Sequence, residues 1–145
     1  MPAELIRAAQ PTDWPAIESL LLEGGLPLEG AREALGSFFV VENGGGDLIG
    51  CAALEPYGDA WLLRSVAVRR DRRAGGIGAR LIHHVLARID SQRPVVLVTT
   101  TAAYWFTRFG FRRIDRDSVP GSILQSVEFR GVCPSTAVIM LREAV

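Results

Sequence analysis

The sequence contains no lysine; all sixteen of its Lys+Arg residues are arginines. A lysine Schiff base is thereby excluded, as is a P-loop, whose helix opens on Gly-Lys-Ser/Thr. Cysteine is scarce as well. Cys51 and Cys133 do not make a disulfide framework. No spacing of His, Cys or carboxylates forms a zinc ligand set, so no metal is expected. No apolar run approaches the ~18 residues of a membrane span. The start Met1-Pro2-Ala3-Glu4 lacks the basic-then-apolar order of a secretory signal. A cytoplasmic protein with no membrane contact is expected. Sixteen basic and sixteen acidic residues cancel, which argues against bulk attraction to nucleic acid.

What is present suits one globular domain spanning 1–145, with 48% hydrophobic residues. Its organising stretch runs from Leu63 to Ile89. An apolar strand, Leu62 to Val68, enters an arginine-rich turn at Arg69 to Arg73. Gly76 and Gly78 follow, then a helix to about Asp90 with Ile77, Leu81, Ile82, Val85, Leu86 and Ile89 on one buried face. First-turn amides of a helix have no intrahelical partner and lie at the positive end of its dipole. Glycines there let a phosphate lie on the backbone. The Rossmann fingerprint requires a third glycine where Leu81 stands. Arg69, Arg70, Arg72 and Arg73 read either as a solvated loop or as partners for those phosphates. Cys51 reads as a small core residue, and His83 and His84 lie off the apolar face.

Along the chain, Leu5 to Ala8 is a strand, and Ala16, Ile17, Leu20 and Leu21 mark a helix ending at Gly24-Gly25. A second short helix is expected over Glu29 to Leu35. Strands follow at Phe38 to Glu42 and Leu48 to Leu54, joined by an Asn43–Asp47 hairpin turn. Pro56 to Asp59 turns the chain into the strand Trp61 to Val68. Val95 to Val98 is a strand buried on both faces, Ala102 to Phe109 a helix stopped by Gly110, Arg112 to Ile114 a strand, and Thr136 to Leu141 the last one. The segment Asp117 to Pro134 reads as a short helix plus loop. The class is mixed α/β.

Arg73-Ala74-Gly75-Gly76-Ile77-Gly78, directly after Val66-Ala67-Val68, resembles the acetyl-coenzyme A loop of the GNAT N-acetyltransferases. The resemblance implies a central, splayed, mostly antiparallel sheet flanked by helices, with acetyl-CoA as co-substrate. It implies that the strands ending at Val68 and Thr99 diverge to admit the cofactor. Backbone groups of Val66, Ala67 and Val68 would pair with the pantetheine arm. The amides of Arg73, Ala74, Gly75, Gly76, Ile77, Gly78 and Ala79 would bind the pyrophosphate. In the family's Asn-x6-Tyr-x3-Gly-Phe landmark, Gly110-Phe111 places Thr99 at the asparagine and Phe106 at the tyrosine. Phenylalanine cannot protonate a leaving thiolate. Tyr104, on a different face, reads as packing.

Glu55 is the first candidate for the base that deprotonates the acceptor amine, with Glu42 second. Arg64 interrupts the apolar strand and calls for an anion. That anion is either Glu55, in a structural salt bridge, or a substrate carboxylate. Gly-Cys-Ala-Ala-Leu-Glu, Ala-Trp-Leu-Leu-Arg-Ser-Val-Ala-Val and the Cys133-Pro134-Ser135 segment resemble the arsenic-resistance N-acetyltransferases and the acetyltransferase domain of bacterial N-acetylglutamate synthases. That narrower resemblance implies a small acceptor carrying a free α-amine and a carboxylate, acetylated by direct attack in a ternary complex. A catalytically silent acetyl-CoA-binding module and a peptide or protein N-acetyltransferase stay open as alternatives. A homodimer is common in such folds.

Overall fold

The computed structural model describes residues 4–89, 92–125 and 137–144. Its strands are β1 (Leu5–Ala8), β2 (Phe38–Glu42), β3 (Leu48–Pro56), β4 (Trp61–Val68), β5 (Val95–Thr99), β6 (Arg112–Ile114) and β7 (Val138–Arg142). The α-helices are α1 (Trp14–Glu23), α2 (Ile77–Leu86) and α3 (Ala103–Phe106). The strands form one mixed sheet in the order β1-β2-β3-β4-β5-β7-β6. β4 and β5 run parallel, while β1–β2, β2–β3, β5–β7 and β6–β7 are antiparallel. This is the mixed α/β class that the order of apolar segments implied. The Cys133-Pro134-Ser135 segment and the start expected for the last strand at Thr136 lie outside the described residues.

The chain falls into two compact units. One comprises Met1–Leu54 and Ser65–Ile89, the other Glu55–Arg64 and Asp90–Val145. In the first, Ile17, Leu20 and Leu21 of α1 pack on Phe38 and Val40 of β2 and on Cys51 and Ala53 of β3. Spacings of three and four residues put the α1 side chains on one face, while the period of two aligns the strand pairs. Each large aliphatic side chain so buried stabilises the fold by about 1.5–3 kcal/mol. α2 buries Ile77, Leu81, Ile82 and Val85 as its apolar spacing predicts, while Leu86 and Ile89, expected on the same face, are only partly buried. In the second unit, Leu62, Val96, Ile114, Ile123 and Leu141 form a separate buried cluster.

Three expectations are corrected. Glu29 to Leu35 is not an α-helix but a succession of turns leading into a 3-10 segment at Leu35–Ser37. Gly30 adopts φ +75° there, a left-handed conformation that interrupts a right-handed helix. α2 ends at Leu86 rather than near Asp90. The helix expected over Ala102 to Phe109 is α-helical only through Phe106, then tightens into a 3-10 turn at Thr107–Phe109 before Gly110 at φ +90°. The Asn43–Asp47 hairpin turn forms as expected, with Asn43 Oδ1 accepting the amides of Gly45 at 2.9 Å and Asp47 at 3.0 Å.

A polar knot ties the start of the chain to β2. Arg7 of β1 donates through Nη1 and Nη2 to both carboxylate oxygens of Asp13, at 2.8 and 3.1 Å, and through Nε to Glu42 at 3.2 Å. Asp13 also accepts the Gln10 amide at 2.7 Å. The Arg7 guanidinium holds the Asp13 carboxyl below its ordinary value. A carboxylate with a depressed pKa stabilises the fold above its unfolded value near 3.8 and loses that contribution as pH falls through the folded one. Asp13→Ala is expected to cost about 1–3 kcal/mol at neutral pH. In urea titrations the gap from the parent should narrow below about pH 3.8.

Candidate functional site

In the first unit the site grows from the end of β4. Ser65 has φ +58° and is the sole non-glycine residue with positive φ among the described residues. Such a residue inside a strand breaks its regular pleat. The Ser65 carbonyl accepts from the Cys51 thiol at 3.4 Å. Cys51 is fully buried, and burial pushes its thiol up to about 12. It therefore stays protonated and is a core residue, as its sequence context suggested.

Beyond Val68, the Arg69 amide still bonds to the Ile49 carbonyl at 2.8 Å. The chain then winds through a 3-10 turn, Arg70–Gly75, into α2. Gly76 caps α2 at φ +78°, ψ 8°, a left-handed conformation that side-chain-bearing residues adopt at a cost. A Cβ built on Gly75 or Gly76 would meet nothing within 4 Å. The first-turn amides of α2, from Ile77 through Ala79, have no intrahelical acceptor. An open depression of about 190 Å³ lies against the turn, walled by Glu4, Asp71, Arg72, Ala74, Gly75, Ile77 and Arg80. Open space over bare glycine backbone, helix-start amides and two arginines fit a diphosphate.

The loop arginines divide into two roles. Arg69 pairs with Asp71 at 2.7 Å and Arg80 with Glu4 at 2.6 Å. Arg73 turns back on its own strand, donating from Nε to the Val68 carbonyl at 2.9 Å, with Nη2 4.0 Å from Glu23. Arg72, rather than Arg73, lines the depression. Glu4, Glu23 and Arg80 were not singled out in the sequence. An acid as the last residue of α1, against its dipole, was the one available signal for Glu23.

The second unit contains the charged pair. Arg64 is 3% exposed, with Nη1 3.6 Å from Glu55 Oε1. Its anion in the structure is therefore Glu55, the structural alternative of the two. Burial pushes the Glu55 carboxyl up from its ordinary value, and the adjacent Arg64 charge only partly opposes this. Glu42, the second candidate base, is engaged by Arg7. The β4–β5 ladder is short, pairing Trp61 with Val95 and Leu62 with Val96, while β5 continues on β7 through Thr99. Thr99 Oγ1 accepts the Ala102 amide at 3.1 Å, bracing the entry to α3. Phe106 is buried edge-on between Trp105 and Phe111. Tyr104, expected to pack, is instead 87% exposed. In a helix of only four residues, no neighbouring turn covers it. Among the described residues no group of three His, Cys, Asp or Glu is arranged to hold a metal ion. No helix among them is long and apolar enough to cross a membrane.

A strand, a glycine turn and a helix arranged in this way leave backbone donors open to an anion. Residues 34–113 match the acetyltransferase (GNAT) domain, and the chain belongs to the GNAT acetyltransferase family. The amino-acid acetyltransferase of Vibrio vulnificus is 34% identical over 129 residues, covering 81% of this chain and 29% of that protein. The chain thus spans about three tenths of the length of the curated relatives it matches. N-acetylglutamate synthase from Neisseria gonorrhoeae, solved with coenzyme A and N-acetyl-glutamate, superposes with a TM-score of 0.80 at 25% identity. That match covers 99% of this chain and 35% of the synthase. Rv2747 from Mycobacterium tuberculosis, solved with CoA, shares the fold over nearly its whole length, at TM-score 0.80, 24% identity and coverage of 97% and 99%.

A carboxyl whose folded pKa is raised favours the native state most when protonated. Its contribution is full below the unfolded value near 4.5 and is lost as pH rises through the folded one. The stability of the parent relative to Glu55→Gln is therefore expected to decline as pH rises from 4.5, then level off. Denaturant titrations of both proteins from pH 4 to 8 would show it, and a difference independent of pH would mean that the carboxyl is effectively solvated.

Proposed function

We propose that this protein transfers the acetyl group of acetyl-CoA to the primary amine of a small amino acid. The observation that carries the proposal is Arg64, a buried guanidinium four residues ahead of Val68 on β4, held beside a carboxylate of raised pKa. A buried arginine is suited to bidentate recognition of a carboxylate, and amino-acid acetyltransferases are among the relatives. Arg64 would hold the acceptor carboxylate in concert with Glu55. The diphosphate of acetyl-CoA would rest on the amides from Arg73 through Ala79, and the backbone of Val66, Ala67 and Val68 would align its pantetheine arm. Thr99 and Phe106 would border the thioester end.

In this reading the acceptor ammonium gives its proton to Glu55, directly or through water, and a raised carboxyl pKa makes that transfer easier. The neutral nitrogen attacks the thioester carbonyl. A C–N bond forms, the C–S bond breaks, and the electron pair leaves on the CoA sulfur. The acylated nitrogen then sheds its second proton, and because a free thiol has a pKa of about 8.5, water can relay that proton to the departing thiolate where Phe106 offers no hydroxyl. An amino-acid toxin such as phosphinothricin or arsinothricin has the same amine and carboxylate and belongs to the same acceptor class.

Phe106 also favours a second reading, in which the protein binds acetyl-CoA without turnover. Thiol release measured across a panel of amino acids separates the two. Release with glutamate or another amino acid supports catalysis, whereas calorimetric binding of acetyl-CoA with no release on any amine supports the silent module.

Two substitutions test the assignments. Arg64→Ala is expected to raise the acceptor KM by roughly 30- to 150-fold, equivalent to 2–3 kcal/mol of charged hydrogen bonding. The acetyl-CoA KM should change by no more than about twofold. Gly76→Glu places a carboxylate over the glycine turn and should abolish coenzyme A binding in calorimetry. Retained binding would overturn the loop assignment.

A further inference from the structure

The 3-10 turn Arg70–Gly75 begins with a backbone problem. The first N–H groups of a helical segment lack internal acceptors, and the preceding residue ordinarily supplies a side-chain oxygen. That residue is Arg69, which can only donate, and no side-chain cap is formed there. The missing acceptor comes from Glu23, the last residue of α1, whose Oε1 accepts the Arg70 amide at 2.8 Å across 47 residues of sequence. The same oxygen lies 4.0 Å from Arg73 Nη2, while Arg73 Nε donates to the carbonyl of Val68 at 2.9 Å. One carboxylate thus meets both ends of the arginine turn, and Arg73 links it to the last residue of β4.

The position of Glu23 argues in the same direction. A negative charge in the last turn of a helix opposes the helix dipole, whereas at a helix start it is favourable. Glu23 therefore contributes unfavourably to α1 and favourably to the turn that it caps from a distance. A residue that breaks a local rule while satisfying a distant group marks a place where the tertiary arrangement sets the choice.

We infer that Glu23 is a positioning residue for cofactor binding. By capping the Arg70 amide and engaging Arg73, it holds the arginine turn so that Gly76 and the first amides of α2 stay aligned for the diphosphate. This rests on the reading of the turn as the acetyl-CoA site. Arg73 accordingly acts as a brace between Glu23 and Val68, leaving Arg72 and Arg80 to face the depression.

The test compares the parent with Glu23→Ala and Glu23→Gln by coenzyme A calorimetry, steady-state kinetics and amide hydrogen exchange. Glu23→Ala is expected to weaken coenzyme A binding and raise the acetyl-CoA KM by about five- to tenfold, with kcat and the acceptor KM within about twofold. The Arg70 amide should exchange at least about tenfold faster, and Val96 in the other unit's core should not change. Glu23→Gln keeps an oxygen for the Arg70 amide but loses the charge facing Arg73, so it should recover most of the affinity. Unchanged affinity in Glu23→Ala would overturn the role, as would tighter binding, which would make Glu23 a competitor of the phosphates. Should Glu23→Ala fail to fold, Glu23→Gln decides: near-parental affinity with a protected Arg70 amide supports the role, and a loss as large as loss of the loop overturns it. A parent that binds no coenzyme A would remove the site reading itself, and the role of Glu23 with it.

Discussion

Backbone donors that lose water must find acceptors, and leaving one buried and unmade costs about 1–3 kcal/mol. The passage from β4 into α2 places several backbone donors in succession, at residues that are mostly exposed. The Arg69 amide is satisfied by β3, through Ile49. The Arg70 amide is satisfied by α1, through Glu23. Past Gly76 the chain enters a helix whose first amides have no acceptor of their own, above glycines that leave the space over them open. A strand, a turn and a helix thus spend their local acceptors up to one point and expose donors after it. Exposed donors of this kind suit an anion, and the chain belongs to the GNAT family.

The second constraint is a buried charge. Arg64 cannot be left alone in an apolar strand, and Glu55 stands 3.6 Å from it. A separation of that size leaves the pair short of an ideal hydrogen bond. Burial, in turn, raises the Glu55 carboxyl. One pair of residues therefore satisfies stability while holding a cation and a proton acceptor of altered strength side by side.

Much of this was legible from the residues. The apolar periodicity from Ile77 to Val85 specified α2, and Asn43-Gly44-Gly45-Gly46-Asp47 specified a turn. Other features were not legible, for identifiable reasons. Glu29 to Leu35 has helix-forming residues, but Gly30 takes a positive φ, which interrupts a right-handed helix. Tyr104 looked like packing because aromatic residues usually pack, yet its short helix leaves it in solvent. The left-handed Ser65 has no sequence signal, since serine is not a residue that favours that region.

By itself the sequence determined the class of fold, the strand–glycine–helix unit and the need of Arg64 for an anion. Each follows from local rules: side-chain periodicity, the conformational freedom of glycine, and the cost of an unpaired buried charge. The tertiary structure alone decided which anion Arg64 meets, that Arg73 faces Val68 and Glu23 rather than the open depression, and that a glutamate 47 residues away caps the arginine turn. Those outcomes depend on where α1 ends and how its last carboxylate reaches an amide far along the chain. Such long-range pairings are set by packing, which no local pattern encodes.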